Sequence, residues 1–208
     1  MAPLTTTGRR AGPPAFLTEF LRRPSTIGAV APSGPALAGD ISAAVPRTGA
    51  PVVVELGPGT GAFTGALQRR LGGRGHHLAV EVNPRFARWI AQRHPGVRVA
   101  VADAARLGDL LAAHRLPPAD VVVSGLPWAA FPAARQRAVL AAVVAVLADN
   151  GAFTAFAYRH LRWTPPARRF HRLLAELFEE VTVGRTVWRN LPPALVYHCR
   201  RPIRPDGA

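Results

Sequence analysis

Residues 52–61 read Val-Val-Val-Glu-Leu-Gly-Pro-Gly-Thr-Gly, a short apolar run that leads directly into three alternating glycines. A continuous apolar run of this length predicts a strand that is buried on both faces of a sheet. Because Gly57, Gly59 and Gly61 have no Cβ atom, the backbone can turn sharply and approach a ligand closely. Ligands of open α/β sheets bind at the carboxyl ends of the strands, so this turn is the first candidate site.

Beyond this turn the chain alternates apolar runs with helix-period stretches, which is the pattern of βα units. We therefore predict an α/β sheet that is mostly parallel, with helices on both faces. Strands are expected near 51–56, 78–82, 97–101, 119–124 and 151–157, and helices near 62–71, 84–93, 104–113, 132–148 and 166–177. Two last β-like segments, Glu180–Trp188 and Ala194–Arg200, have no helix between them and should form an antiparallel terminal hairpin.

The chain before residue 49 differs in character from the sheet domain. We assign residues 1–48 to an N-terminal arm with helices, residues 49–203 to the sheet domain and residues 204–208 to a tail. The arm contains an amphipathic helix-period stretch that ends in arginines before Pro24, with apolar positions Phe16, Leu17, Phe20 and Leu21. This helix could contact a membrane or close over the site as a lid, and both interpretations stay open. A second helix is expected over 35–44.

The composition is strongly basic. The formal charge is +14, and all 26 Lys-plus-Arg residues are arginine. Such a charge predicts attraction to a polyanion, either an anionic membrane or nucleic acid, although a coding bias towards arginine would also account for part of it. Guanidinium groups pair bidentately with phosphate in both kinds of partner. The 49% apolar fraction excludes a wholly disordered chain.

Nothing in the sequence indicates a metal site, a disulfide or a membrane-spanning helix. Cys199 is the single cysteine and has no metal-ligand neighbours, and His76 and His77 are interpreted as solvated loop residues. The longest apolar run, Ala138–Ala148, is shorter than the roughly 20 residues that cross a bilayer. No signal peptide is recognised. We therefore expect a cytoplasmic protein that associates peripherally with the inner face of the membrane.

The glycine turn and the next two strand ends resemble the cofactor site of class I S-adenosylmethionine-dependent methyltransferases, which implies a Rossmann-like fold. In that family the acid before the glycines, here Glu55, contacts the ammonium group of the cofactor. Glu81 ends the second predicted strand, where the family places the carboxylate that accepts both ribose hydroxyl protons. Asp103, after the third strand, matches the position beside the adenine. The resemblance implies S-adenosylmethionine as cofactor, S-adenosylhomocysteine as product, and these contacts: Glu55, Gly57, Gly59, Gly61, Glu81, Val82, Asp103, Ala104 and Ser124.

Each of these residues, considered alone, could also have a purely structural role. The glycines could form only a tight connection between a strand and a helix, and each acid could be a solvated strand end or a helix N-cap. Acids at successive strand ends beside a glycine turn form a more specific pattern than any one of them.

The fourth predicted strand ends in Ser-Gly-Leu-Pro-Trp at 124–128, followed by Phe131 and Pro132. Nucleic-acid amino-methyltransferases carry a similar Asn-Leu-Pro-Tyr segment, whose oxygens hold the target amine and whose aromatic ring stacks on the base. The form found here resembles the bacterial phospholipid N-methyltransferases, which methylate phosphatidylethanolamine stepwise towards phosphatidylcholine. Residues 16–33 and 187–194 resemble the start and end of that family, so the resemblance covers about residues 15–200.

The resemblance implies Ser124, Trp128 and Tyr158 as catalytic candidates. Aromatic faces of Trp128 and Tyr158 can hold a methylated ammonium by cation–π attraction. The alternatives are a core-packed Trp128 and a strand-end Tyr158 with a hydrated hydroxyl. The stretch 159–163 is more basic than its counterpart in that family, which leaves the head group open. Arginines 168, 169 and 172 are interpreted as a solvated helix face and left out of the site.

We predict an S-adenosylmethionine-dependent N-methyltransferase that acts on a lipid amine at an anionic membrane surface, first of all phosphatidylethanolamine and its methylated forms. An RNA adenine N-methyltransferase is a less favoured alternative, since those enzymes usually carry a further helical domain. A small-molecule N-methyltransferase is another. A non-catalytic basic protein with this fold is disfavoured, because a binding module does not need Glu55, Glu81 and Asp103 together.

Overall fold

The structure is a computed structural model, and it describes residues 33–204. Its strands are β1 (Val52–Leu56), β2 (His76–Glu81), β3 (Arg98–Val101), β4 (Ala119–Ser124), β5 (Leu147–Tyr158), β6 (Phe178–Val183) and β7 (Ala194–Pro202). Its helices are α1 (Pro35–Ile41), α2 (Thr64–Leu71), α3 (Pro84–Arg93), α4 (Leu107–Ala113), α5 (Ala133–Val146) and α6 (Pro165–Leu177). The predicted amphipathic helix over residues 14–23 lies outside the described residues.

The strands form one sheet in the order β3-β2-β1-β4-β5-β7-β6. The first five strands of this order are parallel, whereas β7 runs antiparallel to both β5 and β6. The predicted mostly parallel sheet with an antiparallel terminal hairpin is therefore confirmed. The chain order reverses between β1 and β4, and at such a switch point the loops after the strands diverge and leave room for a ligand.

Helices cover both faces of this sheet, as predicted. Helices α4, α5 and α6 pack on one face in a core that includes Leu140, Phe153 and Phe170. Helices α1 and α2 pack on the other face, and α3 joins them there through Ile90. The hydroxyl of Thr154 on β5 donates to the carbonyl of Ile41 at 3.0 Å, which fixes the end of α1 on the sheet. The segment 35–45, which we assigned to the arm, thus packs directly on the sheet.

Some element boundaries differ from the sequence prediction. Histidines 76 and 77 are not loop residues, because they pair with Val52 and Val53 in the parallel β1–β2 ladder, and His77 is buried. The prediction of a strand over Glu180–Trp188 is wrong in its second half, since β6 ends at Val183. Beyond that point Val187 makes only an isolated bridge to Ala194.

No helix within residues 33–204 is both long enough and apolar enough to cross a bilayer.

Candidate active site

The glycine turn after β1 has the backbone conformation that its sequence predicts. Gly57, Gly59 and Gly61 all have positive φ angles, at 67°, 54° and 87°. The amide of Gly57 donates to the carbonyl of Val80 at 2.9 Å, which continues the β1–β2 ladder into the turn. A side chain at position 57 would place its Cβ 2.8 Å from Cδ2 of Leu126, which would have to shift, and the positive φ angle favours glycine there in any case.

Glu81 lies directly against this turn. One of its carboxylate oxygens accepts from the amide of Gly59 at 3.1 Å, and the other accepts from the amide of Asn83 at 2.9 Å. The side chain is almost fully buried, and burial raises the pKa of its carboxyl group above the ordinary value. The structure thus joins two predicted features, the glycine turn and the acid of the second strand, by a hydrogen bond. Val82, which follows, is half-buried.

Glu55 is fully buried beneath the same turn. Its Oε2 atom accepts a hydrogen bond from the hydroxyl of Thr64 at 2.8 Å, and Nε2 of His77 lies 3.2 Å from that oxygen without hydrogen-bond alignment. Gln68 holds the other ring nitrogen of His77 at 2.9 Å. If the Gln68 amide donates there, the ring proton of His77 faces Glu55.

The second oxygen of Glu55, Oε1, has no hydrogen-bond partner among the described residues. A buried carboxylate oxygen without a donor is costly, and a cationic ligand group would satisfy it. The residues present therefore fit the ammonium group of the cofactor. Sequence reasoning missed Thr64, Gln68 and His77; the i, i+4 spacing of Thr64 and Gln68 along α2 was the available signal.

Asp103 follows β3 and makes local bonds of its own. It caps a short turn by accepting from the amide of Ala105 at 2.7 Å, next to the buried Ala104. Its two oxygens also lie 2.7 and 2.8 Å from Nη1 of Arg135, which comes from α5. The sequence does not predict this contact, because Arg135 has no feature that distinguishes it from the other arginines.

The loop after β4 is fixed by Ser124 and Trp128. The buried hydroxyl oxygen of Ser124 accepts from the indole N–H of Trp128 at 3.0 Å and from the amide of Leu126 at 3.3 Å. The Trp128 ring stacks on Phe170 of α6 with 4.4 Å between centroids. One face of the indole is thus covered by the core. Ser124 fixes the conformation of the loop through its hydrogen bonds to Leu126 and Trp128.

Beside this loop lies an apolar cavity of about 160 Å³. It is lined by residues 125–130 and by aromatic side chains that include Phe156, Tyr158, Phe170 and Tyr197. A Cβ at Gly125 would lie 2.7 Å from the carbonyl oxygen of Gly57, so this edge of the cavity lies beside the start of the glycine turn. Burial raises the pKa of Tyr158, which therefore keeps its proton near neutral pH and cannot serve there as a base.

Neither a metal cluster nor a reactive cysteine occurs among the described residues. Within residues 33–204 no group of three or more His, Cys, Asp or Glu side chains is placed to hold a metal ion. Cys199 is buried in β7, and burial raises the pKa of its thiol to about 12, which makes it a poor nucleophile.

Acids at three successive strand ends, a glycine turn at the first and an aromatic cavity at the fourth define a Rossmann-like enzyme with a small-molecule cofactor. A family model described as a methyltransferase domain matches residues 53–151. An ornithine lipid N-methyltransferase of Singulisphaera acidiphila is 36% identical over 188 residues, which are 89% of this chain and 94% of that protein. The chain belongs to the class I S-adenosylmethionine-dependent methyltransferases.

Two further comparisons show a shorter likeness in sequence and a similar fold. A dimethyladenosine transferase of Chaetomium thermophilum is 36% identical over 78 residues, which are 37% of this chain and 19% of that protein. The fold is similar to that of an S-adenosylmethionine-dependent O-methyltransferase of Thermotoga maritima, with a TM-score of 0.65, 15% identity, and coverage of 90% of this chain and 73% of that one. S-adenosylmethionine is the methyl donor of this family.

Proposed function

We propose that this protein transfers a methyl group from S-adenosylmethionine to the amine of a membrane lipid head group. Phosphatidylethanolamine with its methylated forms is one candidate substrate, and an ornithine lipid, the substrate named for the Singulisphaera relative, is the other. The observation that carries the proposal is the apolar aromatic cavity that opens where the glycine turn meets the loop after β4.

The cofactor supplies a methyl group on a positively charged sulfur, which an unprotonated amine can accept. In this proposal the glycine turn and Glu55 hold its methionine end, and Glu81 accepts from its ribose hydroxyls. Asp103, Val82 and Ala104 line the adenine end. The support is geometric, since Glu81 and the turn are joined at 3.1 Å and Glu55 has one oxygen without a partner among the described residues.

The cavity would favour an amine acceptor in two ways. No acidic side chain of the described residues lines it, so an amine that enters loses water without gaining a counter-charge, and this shifts its equilibrium towards the unprotonated form. As methyl groups accumulate, the cationic product is attracted to aromatic faces by about 0.5–2 kcal/mol each. Tyr158 is the better candidate for this contact, since it is half-buried, whereas Trp128 is almost fully buried against Phe170. His160 stacks on one face of the Tyr158 ring, and in this proposal the ligand lies on the other face. Ser124 would act by fixing the loop.

An RNA adenine N-methyltransferase is the second candidate function. It is favoured by the likeness over 78 residues to a dimethyladenosine transferase and by the charge of +14. Peripheral membrane association, through the stretch 16–23 and the basic surface, belongs to the lipid proposal.

The test is a partition experiment with methyl-labelled cofactor. Purified protein is incubated with a total bacterial lipid extract and with total RNA, in separate and in mixed reactions, and label is counted after solvent extraction. The proposal predicts label in the lipid phase, with thin-layer chromatography identifying the head group, and label reduced by about tenfold or more with Glu81→Ala at limiting cofactor. Label confined to RNA would reject the lipid proposal in favour of the alternative.

A further inference from the structure

A second concavity, of about 540 Å³, lies beside the apolar cavity next to the loop after β4. We call that apolar cavity the acceptor cavity, because the proposed function places the acceptor amine there. Its walls come from the turn after β5, the start of α6 and the end of β6. Arg162, Arg168 and Arg172 line it together with His171 and the exposed Trp163. We call this concavity the arginine groove.

The three guanidinium groups of the arginine groove have no acidic partner within residues 33–204. Arg162 instead lies over the Trp163 ring, 4.6 Å from its centroid. The neighbouring Arg169 behaves differently, because it turns inward and donates to the side chain of Gln136 at 3.0 Å. The expectation of one solvated face for residues 168, 169 and 172 therefore applies to only two of them, and those two line a concave surface.

One side chain forms a wall common to the two concavities. Tyr197 of β7 lines both the arginine groove and the acceptor cavity, and its ring contacts Phe170 edge-on and His171 at a tilt, with centroids 5.7 and 5.6 Å away. Neighbouring residues of α6 also line different spaces. Ala167 and Phe170 line the cavity, and the residue that follows each of them, Arg168 or His171, lines the groove. A ligand in the cavity therefore has a cationic surface one side chain away.

The guanidinium groups of the arginine groove have no acidic partner among the described residues, and like charges in a concave surface repel one another. An anion in the groove would relieve that repulsion. Guanidinium forks match the geometry of oxyanions such as phosphate and carboxylate. The cavity itself is lined by no cationic side chain of the described residues that could bind such a group. The two sites thus suit a molecule that carries an amine and an acid a short distance apart.

We propose that the arginine groove binds the acidic group, phosphate or carboxylate, of a zwitterionic lipid head group whose amine occupies the adjoining cavity. This proposal rests on the lipid function proposed above and adds the group by which the acceptor is recognised. It makes Arg162, Arg168 and Arg172 determinants of substrate affinity.

The test compares two double variants of equal net charge. In R168Q/R172Q the groove loses two guanidinium groups, whereas the control R47Q/R88Q loses two exposed arginines that line neither concavity. Each protein is assayed in neutral detergent micelles, which remove surface attraction. The acceptors are phosphatidylethanolamine, an ornithine lipid and a long-chain alkylamine without an acid.

For the lipid that is the true substrate, R168Q/R172Q should raise KM by about tenfold or more, the loss expected for a charge-assisted hydrogen bond, with little change in kcat. The control should match the wild type. The apparent affinity for the alkylamine, measured as substrate or as competitive inhibitor, should not change. The single variant R162Q should show a smaller effect of the same kind, and calorimetric cofactor binding verifies that each variant is folded.

An unchanged KM in R168Q/R172Q, or an equal loss for the lipid and the alkylamine, would overturn the proposal, the latter result meaning that the arginines do not act through the acidic group of the lipid. Loss of RNA labelling in that variant, with RNA as the sole acceptor of the wild type, would mean that the groove binds a nucleic-acid backbone. If the wild type labels none of the lipids, the proposed function fails first and this proposal falls with it.

Discussion

Glu55 and Glu81 end neighbouring strands, and their surroundings give them different properties. Glu81 accepts only backbone amides, so both of its oxygens stay fixed beside the glycine turn. Glu55 accepts from Thr64 at one oxygen, 3.2 Å from Nε2 of His77, and its other oxygen has no partner among the described residues. We interpret Glu81 as an acceptor prepared for neutral hydroxyl donors and Glu55 as one that needs a cation.

Glu81→Gln should weaken cofactor binding by about ten- to a hundredfold, the equivalent of roughly 1.5–3 kcal/mol for a hydrogen bond to a charged acceptor. In the wild type the affinity should also fall as the pH drops through the raised pKa of Glu81, which lies above the ordinary value of 4.5. Calorimetric titrations across this range measure both effects. A variant with the same pH dependence as the wild type would contradict the role of Glu81.

The stability of the protein without cofactor provides a second check on Glu81. Between pH 4.5 and the raised pKa the native protein holds a proton that the unfolded chain has released. The free energy of unfolding contributed by this group therefore decreases as the pH rises through that window. Urea unfolding of Glu81→Gln should lack this contribution, and an identical pH profile in both proteins would count against the burial effect.

Thr64→Val should destabilise the protein by about 1–3 kcal/mol, because it removes the donor to a buried carboxylate while keeping the side-chain shape. Thr182→Val, on the exposed side of β6, is the matched control and should change stability by less than about 0.5 kcal/mol. The comparison is made by urea unfolding. Equal effects at both positions would show that the Thr64 hydroxyl does not stabilise Glu55.

The sequence predicts the acids at the strand ends but not their partners. Glu55, Glu81 and Asp103 follow apolar runs, and that position alone places them at the carboxyl edge of a parallel sheet. His77 contacts Glu55 because β2 begins at residue 76, two residues before the apolar run that marks the strand. Arg135 reaches Asp103 across 32 positions of sequence, a contact that depends on how α5 packs.

At the scale of elements, the turn after β1 and the loop after β4 approach each other through glycines. A Cβ at Gly125 would lie 2.7 Å from the carbonyl oxygen of Gly57, and one at Gly57 would lie 2.8 Å from Leu126. The glycine turn and the loop after β4 therefore lie in direct contact, and a side chain at position 125 would push their backbones apart.

Gly125→Ala should lower cofactor affinity and methyl transfer together, because the added methyl group drives these two loops apart. Gly39→Ala is the control, since Gly39 is exposed in α1 and an added methyl group there would have no described atom within 4 Å, and it should stabilise the protein by about 0.5–1 kcal/mol. Thermal unfolding and calorimetry measure both variants. Normal cofactor binding in Gly125→Ala would contradict the coupling of the loops.

Element types follow from the sequence because period and length distinguish helices from buried strands. The ends of the hairpin do not, because Thr186, Val187 and Trp188 are residue types that favour strands, yet this stretch makes only an isolated bridge at Val187. The sequence is compatible with Trp128 either facing a ligand or packing in the core. Its stacking on Phe170 depends on α6, which lies far along the chain and closes over the loop after β4.

For the whole molecule, the property that bears on membrane binding is the net charge of +14, in which every basic side chain of the Lys-plus-Arg count is arginine. Two exposed tryptophans lie beneath arginines that follow β5. The guanidinium of Arg162 lies 4.6 Å from the ring centroid of Trp163, and that of Arg159 lies 5.0 Å from the ring centroid of Trp188. Tryptophan and arginine together suit the interface of an anionic membrane, where apolar ring and lipid phosphate are both within reach.

Binding to vesicles that contain phosphatidylglycerol should therefore exceed binding to pure phosphatidylcholine vesicles, and it should weaken as salt is added. Co-sedimentation measures both dependences. The alanine variant of Trp163 should lose affinity for anionic vesicles, whereas the alanine variant of Trp89, exposed on α3, should not. Indifference to lipid charge would contradict peripheral association.

The central claim is that the glycine turn and the strand-end acids form one cofactor site. Isothermal calorimetry of the full chain with S-adenosylhomocysteine tests it most directly, using Glu81→Ala against the exposed Glu179→Ala. We predict saturable one-to-one binding that Glu179→Ala retains and Glu81→Ala weakens by about tenfold or more. Equal affinity in all three proteins would contradict the account.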